Sequence, residues 1–248
     1  MTDRVVIRTP TSSELMDVWD EGSALHSLRR SDPLLCAATG LDLTALAELN
    51  IGQRDRVLVQ VRERLFGDTL TALADCPSCG LVFEIELTSA TLLGASRGPE
   101  VVEVDAGGYH LSCRVPRTND LVDAAATGTA SAARAVLVSR AILTAERDGQ
   151  PVEVVELPDD IVASAAAALA DAEPLAHVEL PIHCDACDAT WSRSVDIDGY
   201  LWQELDAWAA LLLGEIHALA TAYGWSESEV LALSPRRRRR YLELVGHG

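Results

Sequence analysis

Cys76-Pro77-Ser78-Cys79-Gly80 and Cys184-Asp185-Ala186-Cys187 decide how this chain is read. They hold four of the six cysteines, and 104 residues separate the two pairs. Four thiolates on two tight CxxC knuckles suit a tetrahedral all-cysteine site, the usual structural zinc arrangement. Gly80 lets backbone N–H groups turn toward sulfur, which favours the thiolate and helps hold a metal. A redox CxxC sits instead at a helix start. Here residues 81–87 continue with alternating apolar side chains, Leu81, Phe83, Ile85 and Leu87, as a half-buried strand does. Residues 190–197 also read as a strand. The expectation is one shared zinc on Cys76, Cys79, Cys184 and Cys187, with redox pairs or metal-free knuckles as the alternatives. Four protein ligands leave no open position for water or substrate, so such a metal staples two distant segments and carries no chemistry.

The expected fold class is α+β. A four-cysteine zinc ribbon, formed by 67–89 with 175–198, is interrupted by an inserted hairpin and helices over 90–174. A mainly helical region, 1–66, precedes it, and a C-terminal helical region, 199–248, follows. Residues 4–8 read as a strand. Thr11 with Glu14 opens a helix as a capping box, Asp32-Pro33 opens a second that Gly40 ends, and Asp42 caps a third. Residues 53–66 form a firmer helix with Val57, Leu58, Val61 and Leu65 on one side. Within the insertion, 101–104 and 109–115 read as a hairpin turning at Gly107-Gly108, a turn signal and not a phosphate cradle. Residues 130–145 and 161–171 read as alanine-rich helices, and 178–182 and 191–197 as strands flanking the second knuckle. Asp198 then caps the longest helix, whose Trp202, Leu205, Ala209, Leu212, Ile216, Leu219 and Tyr223 form a seam of three heptads. Packing on the protein's own core is the favoured reading of that seam. Trp202 and Trp208 lie about 240° apart on the helix, so one of them is expected to stand exposed as an anchor. Ser226 with Glu229, and Ser234-Pro235, open two last helices.

The formal net charge is −18 and every basic residue is arginine. Such acidity repels phosphate backbones and disfavours general nucleic-acid binding. The exception is the run Arg236 to Arg240. Residues 234–248 hold five arginines and one glutamate, against −22 for the remainder. Five consecutive helical residues spread around the circumference, so the run reads as charge balance, or as a contact to an acidic neighbour, before it reads as a nucleic-acid stripe. Residues 1–11 lack the apolar segment of a signal peptide, and the run 207–213 is too short to span a bilayer. Paired cysteines without a secretion signal suit a reducing cytoplasm. His183 beside Cys184 reads as a strand residue near the metal. Cys36 and Cys113 read as small core residues, and His217 as a packed or surface residue. No nucleophile–base set, phosphate loop or carboxylate pair stands out, so no enzyme and no small-molecule substrate are expected.

Three stretches together resemble a known family. They are Ile51-Gly52-Gln53-Arg54-Asp55 running into Leu65-Phe66-Gly67, then Cys76 to Gly80, then the C-terminal part from Asp196 to Leu244. The last includes Leu201-Trp202-Gln203-Glu204-Leu205, Tyr223-Gly224-Trp225-Ser226-Glu227 and Ser234-Pro235-Arg236-Arg237. The pattern is similar to the baseplate hub assembly proteins, or assembly chaperones, of T-even-type phages. It is most similar to the versions encoded with phage-tail-like contractile injection systems. Paired CxxC motifs do not define the phage members, so the metal site is a variation on that pattern. The resemblance implies a non-enzymatic baseplate component or assembly factor whose partners are hub, spike and other baseplate proteins. Trp225, Arg236, Arg237, Arg240 and Tyr241 are the expected partner-facing residues. The rival expectation is a zinc-ribbon regulator that holds nucleic acid through the arginine run.

Overall fold

Polar caps fix where most helices begin. The computed structural model describes residues 6–94 and 98–246. In it Thr11 and Glu14 form the capping box of α1 (Ser12–Ser23), and Gly40, in the left-handed region at φ 74°, ends α2 (Asp32–Thr39). Asp42 accepts from the Ala45 N–H to cap α3 (Leu43–Glu48). Asn50 and Gln53 cap α4 (Ile51–Phe66) reciprocally. Of the strand expected at 4–8, residues 4 and 5 lie outside the described residues, and 6–8 are irregular, with Ile7 buried.

Two hairpins carry the knuckles. β1 (Thr69–Asp75) pairs antiparallel with β2 (Val82–Thr88), from Thr69 opposite Thr88 to Asp75 opposite Val82. Later in the chain β7 (Glu179–His183) pairs with β8 (Thr190–Ser194) in the same manner. Each is a separate two-stranded sheet. Pro181 therefore sits in a strand with a free edge, the position proline tolerates.

Between them lie α5 (Ser89–Leu93) and a four-stranded antiparallel sheet with its helices. β3 (Val101–Ala106) and β4 (Tyr109–Arg114) turn at Gly107 and Gly108, both at positive φ. α6 (Thr118–Ala125) and α7 (Ala130–Ala141) follow. β5 (Ile142–Arg147) then pairs with β4, and short β6 (Gln150–Pro151) completes the order β3-β4-β5-β6. Here the sequence expectation fails. The helix read over 130–145 stops at Ala141, and Ile142 turns into extended backbone at φ −83°, ψ 109°. Pairing with Leu111 and Ser112 outweighs the helical propensity of the alanines, a case of long-range contacts overriding local preference. α8 (Asp159–Ala172) lays Ile161 and Ala165 on this sheet. They close a core of Val104, Tyr109, Leu111, Cys113, Ile142, Ala145 and Leu157. Cys113 is fully buried, and burial pushes its thiol pKa up, so it is a core residue as the sequence suggests.

The chain ends in α9 (Ile197–Tyr223), α10 (Glu227–Leu231) and α11 (Pro235–Val245). The chain gathers into two compact units, one of Met1–Leu41 with Asp198–Gly248 and one of Asp42–Ile197. The first boundary falls inside the segment 1–66, so α3 and α4 belong with the knuckles and α1 and α2 with the C-terminal helices. Within the first unit the heptad seam packs inward as expected. Ala209, Leu212, Ile216 and Leu219 meet Met16 of α1 and Val230 of α10, with Trp225, Tyr241, Leu242 and Val245 packed around them. Neither Trp202 nor Trp208 stands out in solvent. Trp202 is buried over Gly22, where an added Cβ would lie 2.5 Å from its ring, and Arg30 stacks on it at 5.3 Å. Trp208 is half-buried against the Met16 cluster. α9 is the one helix among the described residues long and apolar enough to cross a membrane by length and composition, which the short run 207–213 does not convey. Its seam is nonetheless a core face, and the arrangement is compatible with a soluble protein.

This packing makes the segment after Tyr223 part of the core of its unit and not a separable appendage. Truncation after Tyr223 should strip cover from Ile216 and Leu219 and give an insoluble protein or one with a much lower melting temperature. The milder Val230→Ala, at a fully buried site, should cost about 2 kcal/mol in chemical denaturation. A truncated chain that melts as the full chain does would contradict this account.

Candidate metal centre

The two knuckles are built alike. In the first, the Cys76 N–H donates to the Leu81 carbonyl at 2.9 Å and the Gly80 N–H to the Cys76 carbonyl at 2.9 Å. In the second, the Cys184 N–H donates to the Ala189 carbonyl and the Asp188 N–H to the Cys184 carbonyl, again at 2.9 Å each. The residue after each second cysteine is left-handed, Gly80 at φ 75° and Asp188 at φ 56°. Glycine adopts that conformation freely and aspartate tolerates it, which is why these residues follow the cysteines. The repeat places Cys76 and Cys184 inside, buried, and Cys79 and Cys187 at the exposed rim.

All four Sγ atoms lie within 4.8 Å of one another. Cys76 Sγ is 3.6 Å from Cys187 Sγ, and Cys79 Sγ is 3.7 Å from Cys184 Sγ, so each close pair joins one knuckle to the other. A tetrahedral metal with bonds of about 2.3 Å to sulfur requires sulfurs about 3.8 Å apart. The residues present therefore fit a single four-coordinate metal ion. Electrostatics agree with that use. The Cys79 backbone N–H draws the Cys76 thiol down to about 6 against desolvation, helped by the Ser78 N–H and the Cys187 and Cys184 thiols. The Leu81 N–H acts to lower Cys79 too. The thiols of Cys187, Cys76 and Cys184, together with desolvation, outweigh it and push Cys79 up to about 12. One thiolate is favoured, and packing three more against it calls for a cation to take the place of their protons.

His183 is not a member of the cluster. Its ring faces Asp188 at 3.6 Å and Asp185 at 3.8 Å, and it is half-exposed. The sequence reading had no account of two features that complete the site. One is β1, whose Leu70 and Ala74 are its only buried residues and give a weak period-two signal. The other is an edge-to-face contact of Phe83 with Trp191, 6.0 Å between centroids, which joins β2 to β8 beside the sulfurs.

The residues expected to face a partner lie on and around α11. Arg236, Arg237 and Arg240 are exposed, Trp225 and Tyr241 half-buried. Tyr223 stacks on Trp225 at 4.7 Å, and Tyr241 meets Trp225 edge-on at 4.9 Å. The arginine run is not spread evenly over the surface. Arg238 is buried, with its Nε donating to Glu215 of α9 at 3.0 Å and Nη1 to the Leu233 carbonyl at 3.0 Å.

The chain matches no protein-family model, no curated protein and no solved structure.

Cys79→Ser or Cys184→Ser should bring the metal content of the purified chain down from about one ion to near none. Either change should also lower the melting temperature, because binding the metal is linked to folding of both hairpins. Protein prepared with ample metal that is correctly folded and metal-free by elemental analysis would contradict the assignment.

Proposed function

We propose that this chain is a non-enzymatic structural or assembly component of the baseplate of a contractile, phage-tail-like injection system. On this reading a structural zinc on Cys76, Cys79, Cys184 and Cys187 joins the two hairpins as a divided zinc ribbon, and the protein works in the cytoplasm. The observation that carries the non-enzymatic half is the closed set of four sulfurs at tetrahedral spacing. It leaves a metal no position for substrate or activated water, unlike a catalytic zinc with three protein ligands. Zinc is the preferred ion because four thiolates in a tetrahedron select zinc or iron, and a zinc site needs no redox partner. An iron site would betray itself by its colour.

The resemblance of residues 51–55, 76–80 and the C-terminal third to the baseplate hub assembly proteins supports the assembly half. Rigid hairpins, a long core helix and an exposed arginine face suit a protein that works by contact. The rival, a zinc-ribbon regulator of nucleic acid, draws on the same arginines.

A tagged chain expressed from its own locus should co-purify with hub, spike or other baseplate subunits. Deleting its gene should sharply reduce assembled sheathed particles counted by electron microscopy while the other components are still made. Unchanged particle numbers and normal contraction in the deletion strain would remove the assembly reading.

A further inference from the structure

The run Arg236 to Arg240 becomes a single face once Arg238 is taken out of it. At 100° per residue, Arg239, Arg236, Arg240 and Arg237 fall within an arc of about 160°, and Arg238 lies opposite its middle. That is the side α11 buries against Glu215 and the Leu233 carbonyl. The sequence argument that five consecutive arginines make no stripe therefore fails for a physical reason: one of the five is the anchor that orients the other four.

Three features make this face unusual. First, it is held still. Arg238 fixes α11 from below, and the Tyr223–Trp225–Tyr241 aromatic set fixes its flank, with Tyr241 beside Arg237 on the helix. Second, among the described residues ion pairing of the four exposed arginines is light: Arg240 meets Glu243 at 2.7 Å on the same helix, with its own side chain 74% exposed. Third, Arg236 and Arg237 stand in the first turn of α11, which has no acidic residue. The N-terminal end of a helix is its positive end, so cations there are on the unfavourable side of the dipole. The preceding α10 is the reverse case, with Glu227 and Glu229 in its first turn. The arginines thus work against the stability of their own helix, as residues kept for binding do.

We propose that this face is a docking surface for an acidic segment of a partner protein, the carboxylates of Asp or Glu side chains meeting the four guanidinium groups, with Trp225 and Tyr241 at the edge as apolar anchors. Arginine beside half-buried aromatics is the composition of energetically dominant interface residues. A protein partner is favoured over nucleic acid by the size and surroundings of the patch. An 11-residue helix is about 16 Å long, enough for a few base pairs only. The chain as a whole is acidic, at a net −18, and disfavours a phosphate backbone that continues past the patch. The inference rests on reading the chain as an interaction protein. It names the chemistry of the partner, whereas the particle count tests the assembly role without reference to this surface.

The test uses the full metal-loaded chain with two labelled probes, poly-L-glutamate and a duplex DNA of matched charge, at low and moderate salt. The intact chain should bind polyglutamate with an affinity that falls as salt rises, and more tightly than the duplex. Replacing Arg236, Arg237, Arg239 and Arg240 together by Glu should weaken polyglutamate binding about tenfold or more. The same variant should melt at or slightly above the temperature of the intact chain, because negative charge at the helix start is favourable there. The same four changed to Gln provide a second variant with the charge removed and no new repulsion, and binding should weaken there too. By contrast Arg238→Gln should lower the melting temperature. No binding of polyglutamate, binding by both variants as tight as that of the intact chain, or tighter binding of the duplex at the same salt would overturn the proposal, the last in favour of a nucleic-acid surface.

Discussion

The four sulfurs that meet at the tips of two hairpins are the constraint on which those hairpins depend. Neither hairpin has a core of its own. β2 and β8 bury no residue fully, β1 buries Leu70 and Ala74, and β7 buries Ile182. Isolated two-stranded hairpins are marginal in water, and among the described residues these two share no sheet with any other strand. The sulfur cluster and the Phe83–Trp191 contact join one hairpin to the other. The closure also joins positions far apart in sequence, since 104 residues separate Cys79 from Cys184. A bond that closes a long loop removes much freedom from the unfolded chain, and the cost of closure rises only slowly with length. The intervening sheet β3-β4-β5-β6 is different in kind: with α8 it has a buried core of its own around Leu111 and Cys113.

The parts of this fold that were legible in the sequence are those written in local chemistry. The capping pairs Thr11–Glu14 and Ser226–Glu229, the Gly40 stop and the Gly107-Gly108 turn need only neighbouring residues to act, and they appear where the sequence places them. The CxxC spacing made the cluster of four cysteines legible for the same reason: a knuckle is local, and two knuckles can close on one another. The seam of α9 could be read because burial on one side of a helix leaves a period. What could not be read depends on partners distant in the chain. Ile142 leaves the alanine-rich helix because β4 offers a strand to pair with. β1 carries too few buried side chains to show a period. The tryptophans of α9 misled because the helix is covered from more than one side, Trp202 by Gly22 and Arg30 and Trp208 near Met16. The arginine face was hidden because Glu215, the partner that removes Arg238 from it, lies 23 residues earlier.

The two candidate sites divide the work by chemistry. Four sulfurs converge where apolar burial is scarce, and a metal ion they held would have no open coordination position. Guanidinium groups on α11 do the opposite, adding charge where the helix itself is better without it. The exposed arginines of α11 sit on a helix anchored by the Arg238–Glu215 pair and flanked by Tyr223 stacked on Trp225, with Tyr241 edge-on to both.

Amide hydrogen exchange, read residue by residue before and after the metal is stripped by a strong chelator, tests the central claim most directly. The account predicts that β1, β2, β7 and β8 lose protection on chelation while β3, β4 and the buried seam of α9 keep theirs. Hairpins that stay protected in metal-free protein would contradict it, since the strands would then be held by something other than the four sulfurs and their metal.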